Sequence, residues 1–242
     1  MKARFFAEFL LIAFIMKIAG EFVHEVFGHG LFVLLFGGRI IQVYLSILWP
    51  YELSYIRWSG NFENWQIIWI EGGGILTCTV VSIILQILLL LNVSKNREIL
   101  THIFWLAFWT FLNPAGYLLL GGISPFGDVA ALISRGALTR TLSIILGLGI
   151  FLGSFISISR SLCNILCKAY MLRESNTLRL LLSLFWLIIP CITFAYYLRA
   201  EQPSQHAEIA GILSLLPAAV SFITARFICL MPHKKGEITD KK

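Results

Sequence analysis

Two histidines with a glutamate between them are the most chemically informative stretch of the chain: His24-Glu25-Val26-Phe27-Gly28-His29. Neutral imidazoles bind Zn²⁺, and a glutamate beside them can take a proton from water activated there. The usual helical spacing is H-E-x-x-H, which sets both imidazoles on one face at i, i+4. Here the spacing is H-E-x-x-x-H, one residue longer. At about 100° per residue, i, i+5 positions sit about 140° apart on a straight α-helix, too far round to share one ion. For both histidines to meet one metal, the helix must absorb a residue. A π-type turn across Glu25–Gly28 would do so, eased by Gly28, and such turns are frequent at functional sites. The competing reading is a pair of histidines packed among helices with no metal.

A second group lies roughly a hundred residues on, at Asn113-Pro114-Ala-Gly116-Tyr117 and Gly121-Gly122-Ile-Ser-Pro125-Phe-Gly127-Asp128. Asp128 is the only acidic residue between Glu98 and Glu174. A lone carboxylate in apolar surroundings needs a partner, and a metal held by His24 and His29 would be one. That predicts Asp128 beside the histidine helix as a third ligand, with a fourth position left for water. Asp128 as a cap of the helix that starts at Val129 is the alternative. Asn113 could donate a hydrogen bond to a developing oxyanion, and Asn-Pro could equally be only a kink.

The elements that must position these groups are apolar. Of 242 residues, 58% are hydrophobic and only 13% charged, against roughly 25% charged in a soluble protein; mean hydropathy is +0.82. This excludes a soluble enzyme, a disordered chain and a disulfide-rich secreted module, and points to an all-α polytopic membrane protein. A span needs roughly 20 apolar residues. Candidate spans are Phe5–Gly37, Trp65–Asn92, Thr101–Gly122, Leu142–Ile158, Leu178–Leu198 and Ile209–Leu230. That is about six transmembrane helices if the first run, which carries the histidines, is one helix and not two pieces broken near Gly20. Asn113-Pro114 is expected to interrupt its span. Arg39–Asn64 is β-rich and reads as a short β segment or hairpin after the first span. The first run reads as a span and not as a cleavable leader. Residues 1–231 form one transmembrane domain, with the motifs within about 21–132, and 232–242 form a polar tail. Most Lys and Arg fall on the side of the N-terminus, which makes that side cytoplasmic. The net charge of +6 is spread over loops and tails, so nucleic acid is not an expected partner and the lipid bilayer is. The five cysteines form no C-x-x-C pair and argue against a disulfide framework.

His24-Glu25…Gly28-His29, followed by Leu-Leu-Phe-Gly-Gly-Arg-Ile, resembles the first motif of the site-2 protease family of intramembrane zinc metalloproteases. Gly72-Gly73-Gly74 resembles that family's small-residue motif, and Asn113-Pro114 through Gly127-Asp128 its Asn…Pro…Leu-Asp-Gly motif. The resemblance covers roughly Glu21 to Leu132, with Gly-Asp-Val standing where the family has Leu-Asp-Gly. It implies His24, His29 and Asp128 as zinc ligands, Glu25 as base and Asn113 in transition-state support. It further implies a membrane-spanning protein as substrate, cut within the bilayer of a cell membrane. Two other functions stay open on the residues alone. One is a non-catalytic relative that binds a partner. The other is a transporter using Lys17, Glu21, Glu25 and Asp128 as relay groups. A di-iron arrangement of Glu21, His24, Glu25 and His29 lacks its second half.

Overall fold

The computed structural model describes residues 2–47, 53–94, 96–170, 175–192 and 214–230. The 232–242 tail, the tip of the β segment and part of the last two expected spans lie outside these residues.

The first apolar run is one unbroken rod. Helix α1 (Lys2–Phe22) passes directly into a π-helix (Val23–Gly30) and then into α2 (Leu31–Leu35). Phe22 and Gly30, at the two joints, both keep right-handed helical dihedrals, so there is no break at Gly20. The rod stops at Gly37, which takes φ +78°. Gly38 N–H donates to Val33 O (2.9 Å) and Gly37 N–H to Leu34 O (3.1 Å). This is a Schellman ending, which glycine allows without a Cβ penalty.

Two antiparallel strands follow, β1 (Arg39–Tyr44) and β2 (Tyr55–Ser59), as the β-rich composition predicts. The register slips by one residue between Ile40 and Gln42, a bulge at Ile41. Ile40 and Ile56 point their Cδ1 atoms at Gly30, so the hairpin is seated on the end of the π-helix.

Helices α3 (Asn64–Leu90), α4 (Arg97–Ile123), α5 (Gly127–Ser134), α6 (Arg140–Tyr170), α7 (Ser175–Trp186) and α8 (Leu216–Leu230) complete the described chain. α3 opens on a capping box in which Glu63 N–H donates to Gln66 Oε1 at 2.8 Å. α4 opens on Asn96, whose side chain accepts from Glu98 N–H at 2.8 Å. α4 also corrects an expectation, because Pro114 lies inside it without ending it. Proline deprives the Thr110 carbonyl of its i+4 donor. Phe108, Phe111 and Pro114 are all buried in the bundle, whose packing keeps the helix continuous through the defect.

Among the described residues, three helices are long and apolar enough to cross a membrane: Asn64–Leu90, Arg97–Ile123 and Arg140–Cys167. This falls short of the six expected. The first rod, which carries Lys17, Glu21 and Glu25, is not among the three. The apolar stretches Asn176–Ile192 and Leu216–Ala225 are the described parts of two further expected spans, which continue outside the described residues.

The main core packs Phe104, Phe108 and Phe111 of α4 against Ile158 of α6 and Leu182 and Trp186 of α7. Polar clasps tie helices together where lipid offers no alternative partner. Gln86 Nε2 of α3 donates to Ser154 Oγ of α6 (3.0 Å), Ser82 Oγ to Ala107 O of α4 (3.0 Å), and Trp109 Nε1 to Ala13 O of α1 (2.8 Å). A smaller cluster of Ile75, Leu118, Val129 and Leu132 seats α5 against α3 and α4. Cys163 is disulfide-bonded, contrary to the expectation from an odd cysteine count, and Cys78, Cys167 and Cys191 are free.

Candidate metal centre

The π-helix places the histidines. Hydrogen bonds from i to i+5 stack residues five apart, as an α-helix stacks residues four apart. His24 and His29 therefore lie on one side, with ring centroids 4.8 Å apart and planes at 84°. The distortion spans eight residues, longer than the single turn the spacing demands. His24, Glu25, Gly28 and His29 are all buried. Phe27, in contrast, is half exposed and makes an edge contact with Phe22. The residue that lengthens the motif thus adds nothing to the buried side of the rod.

Asp128 enters from α5. Its Oδ2 lies 3.1 Å from His24 Nε2 and 3.4 Å from His29 Nε2, and the two Nε2 atoms are 3.2 Å apart. The residue is not the cap of α5; that position is Phe126. Among the described residues, His24, His29 and Asp128 are the group of histidine, cysteine and carboxylate side chains that could hold a metal ion. Glu21 and Glu25 are not part of that group, which removes the di-iron arrangement.

Two observations test whether a cation fits. Asp128 Oδ2 is buried and has no hydrogen-bond donor. His29 Nδ1 lies 2.6 Å from Ile70 O, a carbonyl that only accepts, so Nδ1 carries the proton and Nε2 presents a lone pair. His24 Nδ1 faces Cys78 Sγ at 3.9 Å, so the same tautomer is open to it. With both imidazoles neutral in that tautomer, two lone pairs and a carboxylate oxygen point at one another, an arrangement that a cation would satisfy. The spacing also fits: a tetrahedral ion with bonds of about 2.0–2.1 Å separates its ligand atoms by about 3.3–3.4 Å. The partners on the far nitrogens are of the kind that orient metal-bound imidazoles.

One face of α3 builds this support. Ile70, Gly74 and Cys78 recur at i, i+4, i+8 and supply a carbonyl, a bare surface and a thiol. A Cβ on Gly74 would fall on His24 Cε1, and one on Gly28 would fall on Gly74 Cα. The two helices therefore cross at glycine-to-glycine contact, and the His24 ring occupies the space a side chain at position 74 would fill. His24 also meets Tyr117 of α4, with ring centroids 5.4 Å apart. Tyr117 in turn packs on Phe126 at 5.3 Å.

Glu25 is 4% exposed and lies within electrostatic reach of His24, His29 and Asp128. Asn113 is not among the ligand atoms. It stands one turn before Tyr117 on the wall of a cavity, with its Oδ1 buried and unpartnered. Sequence reasoning did not find the support group of Ile70, Cys78 and Tyr117. The i, i+4, i+8 spacing of Ile70, Gly74 and Cys78 was the one available signal, whereas nothing in the sequence marks Tyr117.

Deleting Phe27 gives His-Glu-Val-Gly-His and shortens the motif to the common spacing. No buried side chain is lost, and an ordinary α-turn then stacks the two histidines. The variant is expected to bind one divalent ion per chain, measured by metal analysis of the purified protein. Loss of the ion would show that the π-helix is required for more than phasing the two imidazoles. Compared with family models, curated proteins and solved structures, the chain matches none.

Proposed function

We propose that the protein is a zinc-dependent endopeptidase of the cell membrane that hydrolyses peptide bonds within membrane-spanning helices. The observation that carries this reading is the convergence of His24 Nε2, His29 Nε2 and Asp128 Oδ2 within 3.1–3.4 Å of one another, buried beside Glu25. Two imidazoles and one carboxylate are a donor set suited to zinc with an open position. A zinc ion held there would polarise a carbonyl and acidify water.

The chain's own residues supply the rest. Ile70 O and Cys78 Sγ orient the imidazoles, and Glu25 is the group able to accept the proton of the attacking water and pass it to the leaving amine. Asn113, on the cavity wall one turn from Tyr117, is the donor available to the peptide oxygen. Burial against α3 and α4, two helices apolar enough to cross a membrane, favours a substrate that is itself in the membrane, because ionisable groups at that depth are costly unless they serve a site.

Metal analysis of purified protein tests the reading. One zinc per chain is expected, lost in His24→Ala, His29→Ala and Asp128→Ala alike. Wild-type protein in liposomes should then cleave a model single-span helix. Metal retained in all three variants would dismantle the site. Metal bound without cleavage would favour the non-catalytic relative.

A further inference from the structure

A cavity of about 440 Å³ opens between α1, α4, α6, Ile189 and Ile192 beyond the end of α7, and the start of α8. Its walls are carbon almost throughout, and the polar exceptions include Lys17, Glu21 and Asn113 where α1 meets α4. We propose that this cavity binds the hydrocarbon chain of a lipid, and that its occupancy is transmitted to the metal centre through Tyr117.

Four observations lead there. First, an apolar cavity does not hold water, and in a bilayer the surrounding solvent is hydrocarbon. Second, the wall suits a hydrocarbon chain better than an unwound peptide: few polar side chains face it, so most of a peptide's N–H and C=O groups would go unpaired there, a cost a hydrocarbon chain does not carry. Third, Gly116 lies on the wall, and a Cβ added there meets nothing within 4 Å. Glycine is the weakest helix former after proline, yet here it stands in the middle of α4 and leaves the space in front of it open. Fourth, the charges at the α1–α4 wall balance. Lys17 Nζ is 3.9 Å from Glu21 and donates to Ser46 O at 2.8 Å. The wall therefore offers no net charge to an ionised headgroup, and the chain is recognised by its tail.

The link to the metal centre is direct. Tyr117 and Phe126 both line the cavity and pack on each other. Tyr117 lies against His24, and Phe126 caps the helix that carries Asp128 two residues later. A chain pressing on these two rings acts on two of the three ligands. The proposal extends the metal-centre reading but does not require hydrolysis.

The test uses the full-length protein in phosphatidylcholine nanodiscs with two photoactivatable probes, a diazirine fatty acid and a phosphatidylcholine bearing a diazirine in one acyl chain. Mass spectrometry maps the crosslinks, and the probe that labels identifies a free fatty acid or a membrane lipid as the source. Labelling of cavity residues such as Phe151 and Leu120 is expected, with competition by unlabelled oleate. Gly116→Trp should lower it by about tenfold, since excluding two methylenes from an apolar site already removes roughly that factor. Outward-facing Ile145 and Ile156, about 60% exposed, should label equally in both proteins. In cobalt-loaded protein, oleate should shift the ligand-field bands of the wild type and not those of Gly116→Trp.

Cavity labelling absent with both probes, or not competed by oleate, overturns the proposal whether or not Gly116→Trp folds. So does a model single-span helix that crosslinks to the cavity residues while the lipid probes label only Ile145 and Ile156, which would assign the cavity to peptide. Bands that do not move with oleate remove the coupling. Labelling needs neither metal nor turnover, so its failure leaves the hydrolase reading intact, and absence of cleavage leaves the chain site intact.

Discussion

Glu25→Gln is expected to abolish cleavage of a model single-span helix while leaving one zinc per chain. Glutamine keeps the size of the side chain, and Glu25 is outside the ligand group, so the ion should stay. What is lost is a proton acceptor buried at 4% exposure beside His24, His29 and Asp128. A positioned general base contributes about 10²–10⁴-fold to rate, so turnover should fall by at least that range's lower end. Cleavage and metal content measured on the same preparation separate the outcomes. Undiminished turnover removes Glu25 from the mechanism, and loss of zinc with turnover makes it a support of the site instead. Asn113→Ala should reduce turnover by less. Its side chain sits on the cavity wall, and a single oxyanion donor is worth a few kcal/mol at most.

The cluster of His24, His29 and Asp128 was legible because each member breaks a rule of its surroundings. Three ionisable groups in six residues of an apolar run, and one carboxylate far from any other, are expensive unless they meet. In the structure His24, His29 and Asp128 do meet. The π-helix was legible for a related reason: α-helical phasing leaves the two histidines on opposite sides, and only a local change of helix type reconciles them with one ion. Pro114 was misread because a local defect was weighed without the packing that contains it, here Phe108 and Phe111. Among the described residues three of the six expected spans are long and apolar enough to cross a membrane, and the first rod, which carries Lys17, Glu21 and Glu25, is not one of them. The support from Cys78 and Tyr117 depends on how α3 and α4 cross the π-helix, and crossing geometry leaves almost no trace in a single sequence.

Gly74→Ala is expected to cost the protein its metal although it removes no ligand and no charge. The new Cβ would fall on His24 Cε1, with both ring nitrogens only 2.7 Å away, inside any real carbon–nitrogen contact. The room for the imidazole to move is limited by Tyr117, whose ring centroid is 5.4 Å from its own. Nor can α3 withdraw alone, since Gly28 rests on the backbone of Gly74 and Ile70 O holds His29 Nδ1. Overpacking of this kind typically costs about 1–3 kcal/mol. The cheaper escape is to rotate His24 away from His29 and Asp128, which dismantles the ligand triangle. Gly74→Ala should therefore resemble His24→Ala in zinc content while circular dichroism reports the same helical fold. Gly72 is the matched control two residues away. A Cβ there meets Leu132 at 3.8 Å, an ordinary contact, and alanine is the better helix former by about 1 kcal/mol. Gly72→Ala should keep its zinc and gain slightly in stability. Full zinc occupancy in Gly74→Ala would mean that His24 does not lie against α3, and the metal centre described here would lose one of its three ligands.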